Sequence, residues 1–130
     1  MLVVDASVLV VALGDDGRDG DVARERLRDH DLAAPELVDL EVASVLRKQL
    51  SVGAIDARRA ELALADLADL PVTRAPHLPL LRRCWELRAN LTIYDAAYVA
   101  LAEALETSLL TADVRISRAP GLRCPVDVLA

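Results

Sequence analysis

Four acidic residues, Asp5, Glu41, Asp95 and Asp113, stand where a folded chain could use them for chemistry. Asp5 closes the short apolar run Leu2-Val3-Val4, and Asp113 follows Leu109-Leu110-Thr111 by two residues. If both runs are strands, both carboxylates sit at strand ends. Glu41 lies one helical turn from Leu37 and one from Val45, at the margin of an apolar stripe that partly strips it of water. Asp95 opens the apolar segment Thr92–Leu105, where the positive end of a helix favours an anion. Brought into one cleft with no sequence-local cation, four carboxylates must either hold their protons more tightly or recruit a counter-ion. Oxygen donors of this kind select Mg²⁺, with Mn²⁺ able to substitute, and such ions keep positions for water and a substrate phosphate. The chemistry implied is phosphodiester cleavage.

Each acid also has a structural reading. Asp5 and Asp113 are of the type favoured in turns and caps after strands. Thr92-Ile93-Tyr94-Asp95 has the spacing of a capping box. Glu41 could extend out of its stripe to water. The set, rather than any one member, carries the functional reading.

The elements that must position these acids are short. Leu2–Val4, Leu32–Ala34, Val72–Arg74, Ser108–Thr111 and Val126–Leu129 read as strands. Ala6–Leu13, Asp21–Asp29, Glu36–Leu50 with Pro35 opening it, Asp56–Leu70, Leu78–Ala89 and Thr92–Leu105 read as helices, and Asp113–Arg118 as a turn or a single helical turn. Apolar strands alternating with helices describe an α/β fold: a three-layer α/β/α sandwich around a mostly parallel sheet of four to five short strands. Ligands of such sheets gather beyond the carboxyl ends of the strands, the edge that Asp5 and Asp113 would share.

With 130 residues the chain has the length of one domain, 1–130. Its 24 Leu and 22 Ala against no Phe, one Trp and two Tyr predict an aliphatic core. Cys84 and Cys124 have no metal-ligand spacing and read as buried thiols. No apolar run approaches the ~20 residues a bilayer needs, and Met1-Leu2-Val3-Val4-Asp5 lacks the features of a secretory leader, so a cytoplasmic location without membrane contact is expected. The formal net charge of −6 excludes general polyanion binding. Any nucleic acid must be held locally, by Arg82-Arg83 with Arg88, by Arg115 with Arg118, or through metal. Trp85, Tyr94 and Tyr98 are candidates for base stacking or for core.

The sequence resembles the PIN-domain ribonucleases and, within them, the VapC toxins of bacterial toxin–antitoxin systems. The resemblance runs nearly end to end. It rests on Val3-Val4-Asp5-Ala6-Ser7, on Pro35-Glu36-Leu37-Val38-Asp39-Leu40-Glu41-Val42, on the segment Leu91–Ala102 around Asp95, and on Leu109-Leu110-Thr111-Ala112-Asp113. It implies that Asp5, Glu41, Asp95 and Asp113 form the acidic metal-binding quartet, with Asp5 and Asp95 as principal ligands and Ser7 and Thr111 lining the site. Where some members carry a further acid, this chain has Arg115-Ile116-Ser117. The implied activity is hydrolysis of RNA by a water activated by Mg²⁺ or Mn²⁺. The implied partners are a second copy of the chain, forming a homodimer, and a cognate VapB-type antitoxin whose carboxyl-terminal segment covers the cleft. The helix pair from Glu36 to Leu70 is the expected antitoxin groove.

Two other readings fit less well. A Mg²⁺-dependent phosphatase with a nucleophilic Asp after its first strand needs a second Asp where this chain has Ser7. A catalytically inactive PIN-like binding module would have no need of all four acids.

Overall fold

The computed structural model describes residues 1–130. The chain runs β1 (Leu2–Val4), α1 (Ala6–Gly14), α2 (Arg18–Leu27), β2 (Leu32–Pro35), α3 (Val38–Ser51), α4 (Ala57–Asp69) and β3 (Val72–Ala75). A 3₁₀ turn at Leu78–Leu80 leads to α5 (Leu81–Glu86), α6 (Ile93–Ala104), β4 (Leu109–Thr111), α7 (Val114–Arg118) and β5 (Val126–Val128).

The five strands form one sheet in the order β3-β2-β1-β4-β5, and every pairing is parallel. The expected α/β sandwich is thus present, with a wholly parallel sheet. The crossovers β1 to β2 to β3 progress in one direction and β4 to β5 in the other. Right-handed connections therefore place α1–α4 on one face and α5–α7 on the opposite one. The packing of the elements agrees: α1 lies against α2, α3 and α4, whereas α6 lies on β1, β2 and β4. The direction reverses between β1 and β4, which pair directly at the centre through Val3 with Leu109 and Val4 with Leu110. Beyond their carboxyl ends lies the crevice that open parallel sheets use for ligands.

A contiguous aliphatic core fills the space between sheet and helices, and Tyr98 is the one aromatic residue in it. The central strands are buried on both faces, which explains their continuous rather than alternating apolar character. Gly20 is fixed by space: a Cβ there would stand 1.8 Å from the carbonyl oxygen of Asp15, so only glycine lets α2 fold back onto the end of α1.

Several boundaries differ from the sequence reading. Pro35 ends β2, pairing with Ala75, instead of opening a helix, and α3 starts at Val38. Proline fits there because the terminal position of a strand can dispense with its N–H. Helix α2 starts at Arg18 behind Gly17 and stops at Leu27, after which Asp29 adopts a left-handed φ of 63°. The segment read as one helix over Leu78–Ala89 is a 3₁₀ turn followed by the shorter α5. Cys84 is buried, but Cys124 is only partly so. No helix is long and apolar enough to cross a membrane.

Candidate active site

Asp5 ends β1 and stands at the N-cap position of α1, yet its side chain makes no capping hydrogen bond. The residue is only 5% exposed. Its Oδ2 accepts from the Ser7 hydroxyl at 2.8 Å and from the fully buried Thr111 hydroxyl at 2.7 Å. Both hydroxyls are themselves anchored, since Ser7 Oγ accepts from the Ala112 N–H and Thr111 Oγ1 from the Asp113 N–H, each at 3.0 Å. The other oxygen, Oδ1, takes no protein hydrogen bond. Because no buried polar side-chain atom lacks a partner, Oδ1 must open to solvent. The two hydroxyls thus clamp one carboxylate oxygen of Asp5 and leave the other without a protein partner.

Glu41 occupies the first turn of α3. Rather than reaching out to water, it accepts from the Tyr98 hydroxyl at Oε1, 2.6 Å away, across from α6. Burial pushes its carboxyl above the ordinary range, the Tyr98 hydrogen bond pulls it down, and repulsion from Asp5 and Asp95 adds to the rise. Asp95 sits in the first turn of α6, where Thr92 is the cap and accepts from the Asp95 N–H at 3.1 Å. A helix start should favour the carboxylate. Burial and the negative charge of Asp5 nevertheless raise it, with Thr92 and Arg115 acting the other way and Asp113 adding to the repulsion. The charge of Asp5 therefore reaches both Glu41 and Asp95, and that of Asp113 reaches Asp95, from four separate segments of the chain.

Asp113 differs from the other three. It caps α7 and is gripped by Arg115, whose side chain donates from Nε to Oδ1 at 3.0 Å and from Nη2 to Oδ2 at 2.8 Å. This pair holds the Asp113 carboxyl below the usual range. The expectation that no sequence-local cation serves the cleft is therefore corrected: Arg115, two residues along the chain, does so. As the side chains stand, no three of the acids, cysteines or histidines converge closely enough to hold an ion. Like charges without a shared cation keep apart, and Arg115 draws Asp113 to itself. The donor set nevertheless suits a hard cation, being all carboxylate oxygen with open positions on Asp5 and Glu41.

The remaining candidates separate. Tyr98 is wholly buried and so cannot stack on a base, whereas Trp85 and Tyr94 are 61% and 66% exposed. Arg88 lies over the Trp85 ring, 4.7 Å from its centroid. Arg83, expected as part of a basic cluster, is instead consumed by Glu103 and by the carbonyl oxygen of Gly121. Arg83 and Glu103 line a cavity of about 630 Å³, together with Thr107 and Pro125. Both precede strands, which puts that cavity at the edge opposite the acids. Sequence reasoning missed Arg115 as a partner of Asp113 and Tyr98 as a partner of Glu41.

Residues 2–122 match the PIN domain family. Over 99% of the chain and 98% of the relative, the sequence is 47% identical to the VapC ribonuclease Mb0985 of Mycobacterium bovis. It is 43% identical to the ribonuclease VapC1 of Mycobacterium tuberculosis, over 98% and 96% of the two chains. Among solved structures, VapBC2 from Rickettsia felis, bound to a DNA fragment from its promoter, superposes with a TM-score of 0.67 at 14% identity, covering 96% of this chain and 97% of the other.

Proposed function

We infer from the chain's membership of the PIN-domain family, and within it of the VapC ribonucleases, that it is a metal-dependent endoribonuclease, the toxin of a toxin–antitoxin module. The reading takes residues 1–130 as one domain acting on RNA in the cytoplasm. What supports it most is the Asp5 carboxylate: nearly buried, clamped through one oxygen by Ser7 and Thr111, free of protein partners at the other, and close enough for its charge to act on Glu41 and Asp95. A purely structural aspartate at the start of α1 would cap the helix, and this one does not.

Asp5 and Asp95 would be the principal ligands of Mg²⁺, or of Mn²⁺ in its place, with Glu41 and Asp113 completing the set or orienting water. A bound divalent ion supplies an acidified water and neutralises charge that develops on the phosphoryl oxygens. The protein's own part is positional. Thr111 and Ser7 fix Asp5, Tyr98 fixes Glu41, and the Thr92 cap sets the first turn of α6 that carries Asp95. RNA would approach at the carboxyl ends of β1 and β4, where open parallel sheets take their ligands.

Relatives named for paired toxin–antitoxin proteins favour a cognate antitoxin as partner. The exposed Leu40, Leu50, Leu62 and Leu64 on α3 and α4 offer apolar area for one. Exposed Leu78, Leu81 and Trp85 around α5 offer similar area to a second copy.

The decisive experiment incubates the purified chain with single-stranded RNA in Mn²⁺ and in EDTA, beside Asp5→Asn. Cleavage that requires the ion and disappears in the variant is expected, together with growth arrest by the wild type alone on expression in bacteria. Cleavage persisting in chelator overturns the reading. Growth arrest of equal strength from Asp5→Asn selects an inactive binding module instead, and a covalent phosphate adduct at Asp5 selects a phosphatase.

A further inference from the structure

Four arginines grip a carboxylate with two nitrogens, and one of them stands apart. Arg59 on Asp16 also donates to the carbonyl oxygen of Leu13. Arg74 on Asp39 also donates to the carbonyl oxygens of Val72 and Leu67. Arg83 on Glu103 also donates to the carbonyl oxygen of Gly121. Each of these is bolted to the backbone and serves the fold. Arg115 has no such anchor: its side chain bonds only Asp113 and is 85% exposed.

Asp113 is, in turn, the acid of the cleft with both oxygens engaged. Oδ1 takes the Arg115 N–H and Nε, and Oδ2 takes Nη2. Asp5 and Glu41 each keep one oxygen without a protein hydrogen bond. A solvent-exposed ion pair is weak and easily exchanged. A divalent ion in the same cleft would compete for Asp113 with twice the charge. The chain's net charge of −6 also makes a local cation valuable to an incoming polyanion, and a planar guanidinium matches phosphate oxygens with two parallel hydrogen bonds.

We propose that Arg115 is a partner-exchanging residue of the reaction: it neutralises Asp113 while the cleft is free of metal, yields that carboxylate when a divalent ion binds, and then holds a phosphate of the RNA beside the scissile bond. The proposal rests on the metal-dependent reading above and adds to it the residue that couples ion loading to substrate binding.

The test compares the full chain with Arg115→Gln and Arg118→Gln. Arg118 lies exposed on the same short helix and makes no ion pair, so its replacement removes the same charge without freeing Asp113. In a calorimetric titration with MnCl₂ and no RNA, Arg115→Gln should bind about two- to five-fold more tightly than the wild type, the range expected for releasing an exposed pair, and more tightly than Arg118→Gln. Cleavage of a short single-stranded RNA at saturating Mn²⁺ should then show KM raised about ten-fold in Arg115→Gln with kcat within about two-fold, and the salt dependence of kcat/KM reduced by roughly 0.7 in log–log slope, one phosphate contact. Arg115→Gln binding Mn²⁺ no more tightly than Arg118→Gln overturns the exchange, and an unchanged KM overturns the phosphate contact. A wild-type chain that takes up no Mn²⁺ is a distinct result, which removes the metal site itself and the exchange with it.

Discussion

The Tyr98 hydroxyl and the Glu41 carboxylate, 57 residues apart in sequence, meet at 2.6 Å across the crevice between α6 and α3. Tyr98 is completely buried, and burial together with Glu41 lifts its phenol far beyond its ordinary value, so it remains a proton donor at every pH the protein meets. The core thus aims a glutamate that, left on its own, would turn to water.

Tyr98→Phe keeps the ring and removes the donor. A loss of about 1–2 kcal/mol in stability is expected, as for a hydrogen bond to a charged group whose other side faces solvent. The Tyr98 hydrogen bond lowers the Glu41 carboxyl, so without it that carboxyl rises further. The acidic limb of kcat/KM against pH should move to higher pH, with the maximal rate reduced about ten-fold as Glu41 gains rotamers. A profile that superposes on the wild type would show that Tyr98 contributes packing only.

Thr111→Val is nearly isosteric and removes the hydroxyl that joins Asp5 Oδ2 to the Asp113 N–H. Two groups lose a partner, one of them the nearly buried Asp5 carboxylate, for a cost of about 1–3 kcal/mol. Mn²⁺ affinity should fall because Asp5 is freed to rotate, and Thr111→Ser should restore most of it. Ser7→Ala, at a less buried position, should act in the same direction but more weakly. Mn²⁺ binding by Thr111→Val as tight as by the wild type would contradict the clamp.

The pH dependence of stability follows from carboxyls shifted in opposite directions. Glu41 and Asp95 are raised by burial and by repulsion within the cleft. A group held above its unfolded pKa binds its proton more tightly when folded, so stability falls as pH rises from the ordinary carboxylate range, about 4, through the raised value. Asp113 is lowered by Arg115, and Glu103 is lowered because the hydrogen bonds from Arg83 and the Arg123 N–H outweigh its burial. Their stabilisation is present above the ordinary range and is lost as pH falls through the lowered values. In EDTA, Tm should therefore climb as pH drops from 7 toward about 5 and decline below about 4. Mn²⁺ should raise Tm at pH 7 by binding the folded state alone, and the benefit should shrink in acid as protons compete for the same oxygens. A Tm in EDTA that decreases steadily from pH 7 to 4 would count against a crowded acidic cleft.

How far the sequence disclosed this arrangement depended on whether a feature was local. Asp5 and Asp113 were legible because each follows a short apolar run, and the parallel sheet carries both run ends to one edge. Thr92 and Asp95 were legible from a three-residue spacing that the helix cap then reproduced. The Arg115–Asp113 pair was equally local but was obscured by treating the basic residues as surface clusters rather than as neighbours of the acids. The Tyr98–Glu41 bond was not accessible, because it depends on how α6 and α3 lie on opposite faces of the sheet and still converge past the strand ends. Pro35 was misplaced because proline suits the first turn of a helix and the end of a strand alike, and only the pairing with Ala75 distinguishes the two.

The Glu103–Arg83 pair offers the control that separates stability from chemistry. Both side chains are largely shielded, and Glu103 receives Arg83 Nε at 2.6 Å, Arg83 Nη2 at 3.1 Å and the Arg123 N–H at 2.8 Å. The knot joins α5, α6 and the loop before β5. It sits near the carboxyl end of α6, whereas Asp95 lies in its first turn; eight residues at ~1.5 Å each put roughly 12 Å of helix between them. Glu103→Gln leaves Arg83 half-paired in a shielded site, at a cost of about 1–3 kcal/mol and several degrees in Tm. Mn²⁺ affinity and the cleavage rate per folded molecule should stay at wild-type levels, because neither Glu103 nor Arg83 is among the charges felt by Glu41 or Asp95. A rise in RNA affinity at unchanged Mn²⁺ affinity would return Arg83 to the nucleic-acid surface from which its pairing with Glu103 removes it.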